Sequence, residues 1–171
     1  THTSGLPDML PNNAELRSLH APIGQFVEEI CRQPLRFTPG TAVHYQSCGF
    51  AMLGELVLRL TRMALPDFLR EELFTPLGMS VTSLGWNPAR RERQTHIRLS
   101  PEDAATDWHW NTSYWLSFGA PWGGLVSSPT DYARFLQMML NGGSYGEIHV
   151  LSPASVRAMR MNQLEYMPEI P

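Results

Sequence analysis

Among these 171 residues one side chain stands where it could move protons. Tyr45 lies in the run Phe37-Thr-Pro-Gly-Thr-Ala-Val-His-Tyr45-Gln-Ser47-Cys-Gly-Phe-Ala-Met-Leu-Gly-Glu-Leu56, between a tight turn and an apolar stretch of helical period. A phenol with a pKa near 10 is ionised to only about one part in a thousand at pH 7. It becomes a useful base where neighbouring cations lower that value. All thirteen basic residues are arginine, so no lysine can be that cation. By position alone, a tyrosine at a turn-to-helix junction is a packing residue with a satisfied hydroxyl. Two residues on, Ser47 has two compatible uses: capping the following helix with its side-chain oxygen, or touching a bound ligand. Ser4 lacks the flanking glycines of a nucleophile elbow. The six histidines show no His-Glu-x-x-His, and His109 stands alone between Trp108 and Trp110, so neither a metal nor another cofactor is expected.

Composition bounds the rest. At 43% hydrophobic and 17% charged residues the chain is globular, with enough length for one core. A net charge of −3 gives no electrostatic case for nucleic acid or an anionic membrane. No apolar run approaches the roughly 18 to 20 residues of a membrane span. Cys31 and Cys48 fit no metal or disulfide framework and are expected to be free, buried thiols. The opening residues lack a basic start and an apolar stretch, so no signal peptide is read and the compartment is left open. The chain opens on Thr1 rather than methionine, which is the expectation for a piece of something longer.

The elements that must position these residues follow from period and punctuation. Residues up to Asn13 read as coil with turns. Ile23, Phe26, Val27 and Ile30 recur at helical spacing, with Pro22 suited to the first turn and Pro34 ending the helix. Thr38-Pro39-Gly40-Thr41 has the residues of a type II turn. From Gln46 to Met63 a broad apolar surface predicts a mostly buried helix, and Asp67 to Phe74 predicts another beginning after Pro66. Short β-compatible pieces fall at Ser80 to Leu84 and Gln94 to Leu99. Residues 106–124 hold four of the five tryptophans without a steady period and read as a long structured loop. Trp108 and Trp110 are expected to plug that loop, whereas Trp122 beside Gly123 and Gly124 is expected to line an acyl-substrate pocket. Ser128-Pro129-Thr130-Asp131 forms a capping box for a helix through Leu140, closed by Gly142-Gly143. Ser152-Pro153 starts a last helix to about Asn162. The tail 166–171 has no element of its own.

With these pieces in order, the chain resembles the middle of a class C-type serine β-lactamase, a family that includes D-alanyl-D-alanine carboxypeptidases and related esterases. Three stretches carry the resemblance: His2-Thr-Ser-Gly-Leu-Pro7; the Phe37 to Leu56 block, whose Tyr45-Gln46-Ser47 is similar to Tyr-x-Asn; and Gly123-Gly-Leu-Val-Ser-Ser-Pro-Thr-Asp131 with the helix from Phe135 to Gly143. Leu151-Ser-Pro-Ala-Ser155 fits the next helix start. The resemblance implies a nucleophilic serine in Ser-x-x-Lys, with tyrosine helping to move its proton, because a serine hydroxyl attacks poorly until a base takes that proton. Of that machinery only Tyr45 is here, and no nucleophile is assigned in this chain. Ser47 replaces the asparagine, which puts lactam turnover in more doubt than ester hydrolysis.

The expectation is therefore a mainly α fold with short β-strands (α+β), the incomplete helical subdomain of a β-lactamase/transpeptidase-like fold occupying residues 1–171. It would belong to a serine hydrolase that transfers the acyl group of a lactam, D-Ala peptide or ester to serine, and would be inactive as the isolated chain. The alternative is a catalytically dead relative acting as a binding or scaffold module. The implied partner is a small-molecule acyl substrate, and the implied compartment is periplasmic or secreted. Apolar helix faces are expected to be exposed where further structure would pack, which could lead to a homodimer.

Overall fold

The computed structural model describes residues 1–86 and 94–165. The arginines at 90, 91 and 93 and the tail 166–171 lie outside the described residues. Helices dominate, and the strands are short pairs: β1 (Ser83–Leu84) antiparallel to β2 (Leu125–Val126), and β3 (Ser144–Tyr145) antiparallel to β4 (Ile148–His149). This is the α-rich arrangement the sequence predicts.

One core forms around α1 (Asn13–Ser18), α2 (Ile23–Arg32) and α3 (Cys48–Thr61). Leu10, Leu16, Phe26, Val27, Ile30, Cys48 and Ala51 are buried together there. Phe26, Val27 and Ile30 fall on one stripe of α2, and burying each is worth about 2 kcal/mol. Pro22 sits one place earlier than expected, in extended conformation at the N-cap, and α2 ends at Arg32, with Gln33 already extended before Pro34. A second core joins Phe74, Leu77 and Met79 to Met138.

Helix α3 differs from the expectation of a mostly buried helix. Its buried positions are the small Cys48, Ala51 and Gly54, whereas Phe50, Leu53, Leu56 and Leu60 are exposed. Small residues at that spacing let the backbone approach its neighbours closely: a Cβ on Gly54 would stand 3.1 Å from Pro121 Cγ. The bulky side chains are thereby turned to the opposite face. The helix predicted after Pro66 starts slightly earlier as α4 (Leu65–Leu69), with Pro66 in its first turn, and continues as a π-helical turn over Arg70–Phe74 in which Thr75 N–H donates to Arg70 O at 2.9 Å.

The 106–124 stretch is not all loop. Helix α5 (Pro101–Ala104) precedes it, and α6 (Ser113–Phe118) forms within it, capped by Thr112 Oγ1 accepting from Trp115 N and stopped by Gly119. The expected plug is also different: Trp115 is buried, Trp108 is half-buried and Trp110 is exposed. Of the two predicted strand pieces only Ser83–Leu84 pairs. Around Ile97 the side chain of Asn111 takes the place of a strand, donating to Ile97 O at 2.8 Å and accepting from Ile97 N at 2.9 Å.

Helix α7 (Pro129–Leu140) begins as predicted, with Ser128 Oγ accepting from Asp131 N at 3.2 Å. The other half of the box is diverted. Buried Asp131 turns its Oδ2 to Val81 N (2.8 Å) and Thr82 Oγ1 (3.0 Å), tying α7 to the segment before β1. Helix α8 (Pro153–Arg160) follows, capped by Ser152 and two residues shorter than expected. No helix among the described residues is long and apolar enough to cross a membrane.

Removing the Asp131 carboxylate leaves Val81 N–H without its acceptor and breaks one of the Thr82 hydroxyl's two contacts, so Asp131→Ala should destabilise by about 2–3 kcal/mol. Ser128→Ala, which loses only a cap, should cost about 1 kcal/mol. Urea denaturation followed by far-UV circular dichroism measures both, and equal losses would contradict this division of roles.

Candidate active site

The opening residues form a ribbon laid against the segment that leads into α3. Arg36 N donates to Gly5 O (2.8 Å), Gly40 N to Thr3 O (2.8 Å) and His44 N to His2 O (3.0 Å). Gly5 is required at this crossing: its φ is +76° and a Cβ would stand 2.3 Å from Phe37 O. Side chains lock the ribbon further. Ser4 Oγ donates to the buried Gln46 side chain at 2.5 Å, and Gln46 N donates to His2 Nδ1 at 3.2 Å.

At the end of the ribbon, Asp8 Oδ1 accepts from both Ser47 N (2.9 Å) and Ser47 Oγ (2.8 Å). Ser47 does occupy the N-cap of α3, yet its ψ of −32° is already helical and its hydroxyl makes no capping bond. Capping by Ser47's own side chain is thus corrected: the cap comes from Asp8, 39 residues away in sequence. The negative oxygen also suits the partial positive charge of a helix N-terminus.

These contacts place Tyr45 on the surface. Its residue is 62% exposed, its ring lies 4.6 Å from the His2 ring, and His2 in turn lies 5.6 Å from Phe50. Among the described residues no hydrogen bond reaches the Tyr45 hydroxyl, and no arginine donates to it. The phenol is held by ring contact and backbone, with its oxygen left for something else to meet. Beside it a groove of about 530 Å³ runs past His2, Ser4, Gln46, Gly49 and Phe50.

Ser47 and Trp122 meet elsewhere. They share a crevice with Asp8, Phe26, Ile30 and Cys48 whose free space is only about 10 Å³. That admits one water at most. Trp122 packs edge-on to Phe118 at 5.7 Å. Gly123 is open, with nothing within 4 Å of where a Cβ would be, whereas a Cβ on Gly124 would stand 2.7 Å from Ala120 N. Gly124 donates to Ala120 O at 2.8 Å and accepts from Gly85 N at 2.7 Å, which sets the turn into β2. A second hollow of about 480 Å³ lies beside Val81, Ser127, Ser128, Asp131 and Arg134, away from Tyr45.

Asp8 and Gln46 are the positions that sequence reasoning missed. Asp8 follows Pro7 in what reads as a turn, and no local pattern announces a partner so distant. Gln46 lies between Tyr45 and Ser47 and contributes through burial. Ser4 and His109 have structural partners: His109 Nδ1 accepts from Asn111 N at 3.2 Å.

The chain belongs to the Beta-lactamase family, whose model matches residues 1–164. An Escherichia coli protein described as a putative D-alanyl-D-alanine carboxypeptidase is 29% identical over 185 residues, covering 96% of this chain and 42% of that protein. An uncharacterized Mycobacterium tuberculosis protein is 32% identical over 173 residues, covering 96% of this chain and 43% of its own length. A putative β-lactamase from Bacteroides dorei shares the fold, with a TM-score of 0.71 at 24% identity over 99% of this chain and 43% of the other. D-amino acid amidase from Ochrobactrum anthropi matches with a TM-score of 0.64 at 25% identity, covering 91% of this chain and 44% of the enzyme. The chain spans less than half the length of these relatives.

Both cysteines are free, but only Cys48 is buried; Cys31 is exposed on α2. Burial first, and then the nearby Asp8 carboxylate, pushes the Cys48 thiol up to about 11. The folded state therefore holds this proton more tightly than the unfolded chain. Stability from this group is complete below the ordinary thiol value of 9.0 and is lost as pH rises from there through about 11. A thiol reagent at pH 8 should titrate one cysteine quickly and the second only after denaturant is added.

Proposed function

We propose that residues 1–171 are the helix-rich part of a serine acyl hydrolase and that Tyr45 moves the proton of a serine which this chain does not contain. The exposed phenol is the observation that carries the reading: its oxygen is unengaged while the backbone beneath it is fixed by the His2–Asp8 ribbon. The relatives named as a carboxypeptidase and an amidase support acyl transfer from an amide as the reaction class, to which we add an ester. The attack would expel the amine or alcohol from the acyl carbon, and water would then release the acyl group from serine.

Ser47 narrows the substrate. Its hydroxyl hydrogen is committed to Asp8, so only oxygen lone pairs remain to it. An asparagine would both donate and accept. Ser47 therefore has no donor left for a substrate carbonyl, and the preference for esters over lactams rests on the loss of the asparagine's longer, two-way amide at this position. Trp122, Gly123 and Gly124 are assigned to the acyl-binding side of the site on the strength of the Gly-Gly block alone. The apolar stripe of Phe50, Leu53, Leu56 and Leu60 is the surface assigned to the remaining half of the fold, or to a second copy where that half is missing.

Two expectations test this. The 171-residue chain should hydrolyse neither a chromogenic cephalosporin nor a short-chain nitrophenyl ester above buffer; turnover by the chain alone would overturn the assignment. In a complete polypeptide containing Ser-x-x-Lys, Tyr45→Phe should lower kcat by about a hundredfold to ten-thousandfold, with the ester the better substrate before mutation. An unchanged kcat would leave Tyr45 a packing residue.

A further inference from the structure

Arg17 lies in a setting that neither the fold nor the Tyr45 site explains. It is a buried arginine, 8% exposed, on the last turn of α1. Its guanidinium carbon lies 5.5 Å from the Trp108 ring centroid and 4.8 Å from that of Trp115. Cation–π attraction accounts for the aromatic company. It does not account for the missing anion, because buried arginines are ordinarily paired with carboxylates.

Among the described residues no acceptor reaches the Arg17 side chain. Asp107, one residue before Trp108 in the chain, is turned to His20 Nε2 at 3.3 Å and is itself 73% exposed. Tyr114 stacks on His20 at 4.6 Å and donates its hydroxyl to Ala21 O, so it cannot lend that hydrogen to an incoming anion. Burial lowers the Arg17 pKa from its ordinary value, with Tyr114 opposing the shift. A desolvated cation of this kind gains more from an anion than a hydrated surface arginine does. Among the described residues, none of its three side-chain nitrogens is completely enclosed.

We propose that Arg17, set against Trp108 and Trp115, is a binding site for a small carboxylate. A guanidinium presents its N–H groups along one plane, and a carboxylate meets two of them in parallel, a match that lysine cannot reproduce. The indole rings restrict the guanidinium's orientation before the anion arrives, which lowers the ordering cost of binding. Neither Tyr45 nor Ser47 takes part, so this site stands or falls apart from the hydrolase assignment.

The test uses the 171-residue chain and follows the arginine Nε–Hε resonances by NMR at constant ionic strength, with chloride as the balancing salt. Acetate should shift the Arg17 resonance saturably, while acetamide, which has the same shape without the charge, should not. Phosphate forms the third arm. In the variants, which lack that resonance, the indole N–H signals of Trp108 and Trp115 report binding, and Arg17→Lys should weaken acetate binding about tenfold because charge is kept and the fork is lost. Arg17→Gln should abolish it. A linear, unsaturable response to acetate, an equal response to acetamide, or tighter binding of phosphate than acetate would each overturn the assignment. Should the Arg17 variants unfold, the wild-type comparison of acetate with acetamide decides alone.

Discussion

Asp8 reaches across the chain to hold Ser47, and the geometry around Tyr45 depends on that contact. One carboxylate oxygen accepts both the backbone N–H and the hydroxyl of the residue that starts α3. Cys48 adds its thiol to Asp8 O at 3.4 Å. A helix start has N–H groups with no partner inside the helix, and here a distant acid satisfies one of them. Because the acid is carried by the opening ribbon, the ribbon and the helix cannot shift independently. Tyr45 lies between them, two residues before the pinned position, and its exposure is a consequence of fixed backbone on both sides.

Packing behind this point explains the division of α3 into two faces. Cys48, Ala51 and Gly54 let α2, Pro121 and Leu65 come close, and each larger side chain is left on the far side. The sequence shows the helix and its apolar content clearly, but an apolar residue count does not say which face is covered. Bulk does: the small residues repeat every third position and mark the contact. The same logic applies at Gly124, where the backbone of Ala120 occupies the space a side chain would need.

Elements with strong local signals were legible in the sequence: α2 by its stripe, α7 by Ser128 and Pro129, α8 by Ser152 and Pro153. Those set by tertiary partners were not. Helix α6 has aromatic residues on several sides and gains its start from Thr112, a short signal easily lost within a tryptophan-rich stretch. The Gln94–Leu99 segment has strand composition, yet its backbone is met by one asparagine side chain instead of a neighbouring strand. In the site, Tyr45 and Ser47 were visible because their spacing follows a known block. Asp8, which settles what Ser47 can do, was not, since a carboxylate after a proline satisfies every local rule for a turn.

Two carboxylates, Asp8 and Asp131, do comparable work in the two cores. Each sits at the start of a helix and takes a backbone N–H from a segment far away in sequence: Ser47 for Asp8, Val81 for Asp131. They differ in how their charge is compensated. Asp131 is almost fully enclosed and has Arg134 at 3.4 Å as well as the Thr82 hydroxyl. Asp8 is half-buried and, among the described residues, has no ion-pair partner; Ser47 N–H and Oγ–H meet its oxygen. Enclosure with a cation makes a contact costly to break and chemically silent. Asp8 is less enclosed, and its oxygen is committed to the residue that starts α3. The asymmetry therefore separates a carboxylate locked by enclosure and a cation from one held by two hydrogen bonds to a single residue, and both act by fixing a helix start to a distant segment.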